Sequence, residues 1–287
     1  MIWQMFLVGY LVLGVVAYLL RRHLAVSLTK HNRLVHGFFY LCVSYPTSLI
    51  ITYFLDSNLN IGWLNFIFIA VGSLIFPILL MLSYKSSKDL DAGLYTILCD
   101  LAPIITIIAA TILLHEGLNG RQLIGAAIVI GSAVLATLPQ VLNRTIHKTA
   151  GLKVALLSIF VLGIAVVYER WMLTRMDLGA YFFWGWGAQT FWMVLLAWKD
   201  RKSIGILRQK KNFWPVLLFA LAFVLKSVFF IIALKMSGNV SLVIAFASFV
   251  SVLVVIAAYY VLKERDHFWY KAAAGLTGAA GLIILNI

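Results

Sequence analysis

Two stretches decide how this chain folds: LYTILCDLAPIITIIAATILLHE (94–116) and LVIAFASFVSVLVVIAAYYVLKE (242–264). They align without a gap, and each is a long apolar run that ends on a glutamate, Glu116 and Glu264. With a two-residue shift the match extends into the next apolar run, pairing Gly125 with Gly275 and Gly131 with Gly281. Each stretch is long enough to cross a hydrocarbon core of about 30 Å, which needs roughly 20 apolar residues.

The rest of the chain reads the same way. Of 287 residues 63% are hydrophobic and only 11% charged, and the mean hydropathy is +1.00. A water-soluble domain carries about 25% charged residues, so the composition is that of an integral membrane protein. Apolar runs fall at 2–20, 34–55, 62–83, 91–114, 121–140, 152–173, 178–198, 213–235, 239–262 and 268–287. They are joined by short connections, the most polar being 21–33, 143–148 and 199–212. The expected fold is therefore an all-α integral membrane protein of ten transmembrane helices. Residues 1–140 form a first five-helix repeat, 141–150 a connecting loop and 151–287 a second repeat. An odd number of crossings per half forces the halves to insert upside down relative to each other, the inverted-repeat plan of secondary transporters, with the solute site near the midplane. The first run has neither the basic leader nor the cleavage site of a signal peptide and reads as the first helix.

The net charge of +13 is spread over short loops instead of one patch, which points to membrane topology and not to nucleic acid. Only Arg121, Arg170, Arg175 and Lys235 fall in even-numbered loops; every other Lys and Arg outside the spans lies in odd-numbered ones. Positive loops stay in the cytoplasm, so both termini are expected on the non-cytoplasmic side of the cell membrane. Cys42 and Cys99 lie in apolar runs and make neither a disulfide framework nor a zinc site. The six histidines have no metal-ligand spacing, and no cofactor or metal is expected.

The run LLHEGLNGRQLIGAAIVIGSAVLAT (113–137), echoed by VLKERDHFWYKAAAGLTGAAGLIIL (261–285), resembles the repeat ending of EamA-like proteins in the drug/metabolite transporter superfamily. The resemblance covers both halves and is weaker over the first two helices. It implies a ten-helix inverted-repeat carrier for small organic solutes, with a central cavity lined by helices 3, 4, 8 and 9 together with 1, 2, 6 and 7. It also marks Glu116 and Glu264 as the repeat-end glutamates. Its substrates are not implied: relatives move amino acids, drugs, sugars, phosphorylated metabolites and choline-like cations.

Candidate site residues are the polar ones that lipid cannot satisfy. Helix 8 carries Lys226 within FALAFVLKSVFFIIAL (219–234), at a cost of roughly 2.5–3.5 kcal/mol on insertion scales unless it has a partner or a use. Helix 4 carries Asp100, with Thr96 and Pro103 on the same face, and the aligned face of helix 9 carries Ser248 and Ser251. Counted from the basic side at 1.5 Å per residue, Asp100 lies about 14 Å and Lys226 about 17 Å deep, so the two could meet. Either they form a structural ion pair, or both face the cavity and bind or exchange protons with a polar solute. Pro103 leaves the Cys99 carbonyl without its helical donor, a ligand contact or hinge beside Asp100.

Helix 7 opens with YFFWGWGAQTFW (181–192), either an interfacial aromatic belt or an aromatic wall for a cation or flat ring. Trp186 and Gln189, three positions apart, share a face. Glu169 belongs either to a hydrated ion cluster with Arg170, Arg175 and Asp177 or to proton coupling. Glu116 and Glu264, at helix C-termini, call for basic neighbours such as Arg121 or Lys263. Ala127 with Gly131 and Ala274 with Gly278 make small-xxx-small pairs that let helices 5 and 10 approach, or form a dimer face.

These residues point to a secondary transporter for a small polar, cationic or zwitterionic metabolite, coupled to protons or working by exchange. It would act as a monomer or homodimer, with the lipid bilayer as its setting. No GxxxxGK[ST] loop is present, so ATP is not the direct energy source. The alternatives are a flippase for a lipid-linked substrate and a membrane-embedded enzyme; no HExxH, GxSxG or paired-aspartate motif supports the latter.

Overall fold

The computed structural model describes residues 2–55, 58–106, 108, 120–142, 146–237, 246–247 and 249–286, and every regular element among them is helical. They are α1 (Ile2–Ser27), α2 (Asn32–Leu55), α3 (Gly62–Asp89), α4 (Ala92–Thr106), α5 (Gly120–Leu142), α6 (Ile146–Leu173), α7 (178–197), α8 (Lys210–Ser237), α9 (Phe249–Leu262) and α10 (Phe268–Asn286). Five of these contain a stretch long and apolar enough to cross a membrane: Trp3–Ser27, Asn32–Leu55, Gly62–Asp89, Ala150–Leu173 and Lys210–Ala233. Glu116, Ser241, Ile244 and Ser248 lie outside the described residues.

Prolines shape the helices where the sequence places them. Pro46 has no N–H for the Cys42 carbonyl, and α2 accommodates this with a wider π-helical stretch, Phe39–Ser44, in which the Tyr45 N–H reaches back to the Tyr40 carbonyl. Pro77 lies one turn past an interruption of α3, whose first part ends at Gly72 and whose second starts at Ile75. In α4 the regular helix stops at Cys99. The N–H groups of Asp100 and Leu101 then turn to the carbonyls of Ile97 and Leu98, 3.1 Å in each case, before the helix resumes toward Thr106.

The most extensive packing joins α5 with α10, α1 with α8, and α3 with α6; α4 packs on α9 and α2 on α7. The α5–α10 seam uses Gly278 and Gly281, which face Ser132 and the Ile128–Val129 turn. Gly131 does not take part: it is exposed, with nothing within 4 Å of where a side chain would start. The α5–α10 contact expected of the Ala127/Gly131 pair is thus made instead by Ser132 and Val129. Outward faces carry exposed Val8, Val12, Leu123, Val134, Phe160, Leu195 and Leu218, apolar side chains of the kind lipid solvates.

At one end of the bundle a charged cluster ties four helices together. Arg22 of α1 donates from Nε to Glu264 Oε1 at 3.1 Å and from Nη1 to the carbonyls of Ser87, at 2.8 Å, and Lys88. Glu264, just past α9, accepts the Ala92 N–H at the start of α4 at 2.9 Å, and Lys271 of α10 donates to Asp91 at 2.6 Å. The partner of Glu264 is therefore Arg22, not Lys263 or Arg121. Lys263 itself adopts a left-handed backbone, φ 56°, where the chain leaves α9. Burial, and then the neighbouring charge of Asp91, push the Glu264 carboxyl above its ordinary range against the pull of Arg22.

Candidate functional site

A cavity of about 290 Å³ opens between α1, α2, α3, α4, α6, α7, α8 and α9, with Leu282 of α10 also on its wall, and both Asp100 and Lys226 line it. Lys226 is 8% exposed, and its ammonium sits among three rings, 4.5 Å from the centre of Phe223, 4.8 Å from Tyr18 and 5.6 Å from Tyr10. Room for its stem comes from Gly14 on α1: a Cβ there would stand 3.6 Å from Lys226 Cδ and 2.8 Å from Val250 Cγ2. Tyr10, Gly14, Tyr18 and Arg21 follow one another at helical spacing on one face of α1. Arg21, also buried, lies 4.5 Å from the centres of both Tyr18 and Tyr95, so the Tyr18 ring is shared by the cations of Arg21 and Lys226. This stripe was not singled out in the sequence, although its spacing was readable there.

No ion pair joins Asp100 or Lys226 to any group among the described residues. The two share a cavity but do not neutralise each other. Asp100 turns toward α5, α9 and α10: Ser251 hydrogen-bonds its carboxyl, and its Oδ2 lies 3.6 Å from where a Cβ at Gly278 would stand. Thr96 also lines the cavity, but its hydroxyl hydrogen-bonds back to its own helix at the Ala92 and Gly93 carbonyls, 3.1 and 2.9 Å away.

Elsewhere on the wall lie Glu169, Trp186 and Gln189. Glu169 accepts a hydrogen bond from the Tyr181 hydroxyl at 2.8 Å, while Arg170, its neighbour in sequence, is exposed. The ion cluster expected around Glu169 is not formed among the described residues: Arg175 instead stacks on Trp171, 4.3 Å from the ring centre. The tryptophans of helix 7 divide. Trp186 is buried at the cavity, whereas Trp184 and Trp192 use their indole N–H groups on the carbonyls of Leu59 and Ala70. A buried cavity with an uncompensated ammonium, two carboxylates and an aromatic wall is suited to holding a small solute that carries charge.

The model of the EamA-like transporter family matches residues 2–138, so the resemblance read from the sequence holds over the first half of the chain. No curated protein matches the chain. The apolar helices and this family match together indicate a multi-pass membrane protein.

Proposed function

We propose that this chain is a secondary carrier that moves a small zwitterionic organic metabolite across the cell membrane by alternating access. The anionic group of the solute is received by Lys226 and its cationic or polar end by the Glu169, Trp186 and Gln189 wall. The single observation that carries this reading is the placement of Lys226 in the cavity, ringed by Tyr10, Tyr18 and Phe223 with no carboxylate in ion-pair reach among the described residues. An ammonium kept from water without a counter-ion is held at a cost, and a carboxylate or phosphate arriving with the solute removes that cost.

We further propose that residues 1–140 and 151–287 are the two inverted halves, crossing ten times with both termini outside. The packing supports this. Exchanging the halves maps α1 onto α6 and α3 onto α8, which turns the α1–α8 contact into the α6–α3 contact, both extensive; α2–α7, α4–α9 and α5–α10 map onto themselves. The flippase reading has one feature in its favour, an apolar groove between α2, α3 and α7 lined by Phe66, Phe183 and Trp192. That groove contains none of the charged candidates, so the carrier reading leads.

The test is a thermal-shift panel of amino acids, polyamines, quaternary amines and sugar phosphates on the detergent-purified chain, followed by uptake of the best ligand into liposomes. Zwitterions should raise the unfolding midpoint, and Lys226→Met should abolish the shift while Lys226→Arg retains part of it. Shifts confined to cations that lack any anionic group would overturn the assignment, and chemical conversion of the ligand in liposomes would turn the reading toward an enzyme.

A further inference from the structure

Where α4, α5, α9 and α10 meet, a buried carboxylate has an oxygen with nothing to bond. Asp100 is 6% exposed, and its Oδ2 has no hydrogen-bond partner among the described residues. A Cβ added at Gly278 would stand 2.9 Å from Ser132 Oγ and 3.6 Å from Asp100 Oδ2, so the two oxygens approach one spot on α10 where only a glycine fits. Ser132 gives its hydroxyl hydrogen to the Val129 carbonyl at 2.8 Å, and Ser251 hydrogen-bonds Asp100. The Ser132 hydroxyl is therefore left with lone pairs, not a proton, for a further contact.

The backbone adds to this. Pro103 offers no N–H to the Cys99 carbonyl, and the Asp100 and Leu101 N–H groups have turned back to Ile97 and Leu98. The first half of α4, Ala92–Cys99, ends at Asp100, which puts the partial negative end of a helix beside the carboxylate. The neighbourhood is thus rich in oxygen acceptors, carries one full negative charge and has no basic side chain paired to it among the described residues. A broken helix at mid-depth, with exposed backbone oxygen and an unpaired carboxylate, is the arrangement with which carriers hold their driving ion.

We propose that this seam binds one sodium ion, with Asp100 Oδ2 as the charged ligand and the Ser132 hydroxyl, the Ser251 hydroxyl and the Cys99 carbonyl as neutral ones. A monovalent ion balances the single carboxylate, whereas a divalent ion would leave a net charge buried. Hard oxygen donors with no nitrogen or sulfur ligand among them suit an alkali cation. Asp100 also lines the solute cavity, so one residue joins the proposed ion seam to the space that holds Lys226. This goes beyond the carrier reading, which names no driving ion.

The experiment replaces choline with sodium at constant ionic strength and pH on the purified chain, with no solute present, and reads both the unfolding midpoint and the binding of radioactive sodium. Binding should saturate near one ion per chain, and at ten times the dissociation constant sodium should multiply the folded-to-unfolded ratio about elevenfold. Asp100→Asn, which keeps the side chain's shape and removes its charge, should lose both signals while eluting as a monodisperse species. Ser132→Ala should weaken binding several-fold. Equal midpoints in sodium and choline for the parent chain, or a sodium response that survives in Asp100→Asn, would overturn the proposal. So would a midpoint that follows pH at constant sodium with no sodium bound, which would assign the carboxyl to a proton. Because sodium is read without solute, its failure leaves the Lys226 reading in place, and a failed solute panel leaves the sodium site in place.

Discussion

Arg22→Met should open the charged end of the bundle, and the structure sets the size of the effect. Arg22 is the common member of the cluster: it holds Glu264 beyond α9, the last turn of α3 through Ser87 and Lys88, and it stands 3.9 Å from Asp91. The side chains of Arg22 and Glu264 are 19% and 11% exposed, so their hydrogen bond is neither fully screened nor fully buried. Charge-assisted bonds contribute about 1.5–3 kcal/mol each. Partial exposure reduces that, and Glu264 keeps its bond to the Ala92 N–H. Its carboxyl is already held above its ordinary range by burial and by Asp91, and losing Arg22 raises it further. A net cost of about 2 kcal/mol remains, or roughly thirtyfold in the equilibrium between closed and open forms of this end. Native Cys99 lines the cavity and can report the opening. In a Cys42→Ser background, a membrane-impermeant maleimide applied from the Arg22 side should label Cys99 up to about thirtyfold faster in the variant, with labelling from the other side reduced. Unchanged rates from both sides would refute the idea that this cluster holds the end shut.

Three further outcomes follow from particular contacts. Gly14→Ala drives a methyl to 2.8 Å from Val250 Cγ2 and against the Lys226 stem, so it should lower stability by about 1–3 kcal/mol and weaken the zwitterion-induced midpoint shift, while Gly131→Ala, with open space around it, should do neither. Trp192→Phe removes only the indole bond to the Ala70 carbonyl and should cost about 1 kcal/mol in denaturation with ligand affinity unchanged, whereas Gln189→Leu at the cavity wall should leave stability near the parent value and reduce affinity roughly tenfold. Glu264→Gln tests the raised carboxyl. A group whose folded-state value lies above its ordinary 4.5 stabilises the fold below that value and loses the contribution as pH rises through the folded value. The stability of the parent relative to the variant should therefore rise as the pH is lowered from neutral toward 4.5, read as the difference between their denaturation midpoints.

What the sequence discloses here is depth, and what it withholds is direction around each helix. Apolar run lengths and the ends on which charges cluster fix how far along a helix a residue lies, so Asp100 and Lys226 could be placed at similar depths, and they do line one cavity. Whether they touch depends on helix rotation and tilt, which depth does not determine. Asp100 is turned to the α5–α10 seam by the break at Pro103, and Lys226 into a pocket of rings. The i, i+3 spacing of Trp186 and Gln189 carried rotational information and placed both at the cavity, and the Tyr10–Gly14–Tyr18–Arg21 stripe contained the same signal, unread. Glu264 was matched to sequence neighbours because long-range partners leave no local trace: Arg22 is 242 residues away. Pro46 and Pro77 were legible as interruptions but not as to kind, since a missing donor can be absorbed by a π-helical turn, as in α2, or by a break, as in α3.

The two unmatched charges of the cavity constrain how it can work. An ammonium facing three rings gains about 0.5–2 kcal/mol from each well-placed face, and Lys226 shares Tyr18 with Arg21. Two cations around one ring repel each other, so the rings lessen the cost of holding Lys226 without removing it, and the solute anion proposed above would lessen it further. Asp100 presents the opposite imbalance at the far side of α4, with no partner for its Oδ2 among the described residues, and the proposed sodium ion would answer it. If the two sites shared one partner, each charge would satisfy the other, and neither a solute nor an ion would be needed to settle the cavity. Held apart, each lowers the cost of burying the other's ligand. In the proposed carrier, filling both sites would bring the cavity toward neutrality and let it close from the solute side at the least electrostatic cost. The Arg22 cluster would then release the opposite end, which requires that opening it cost only the modest amount estimated above.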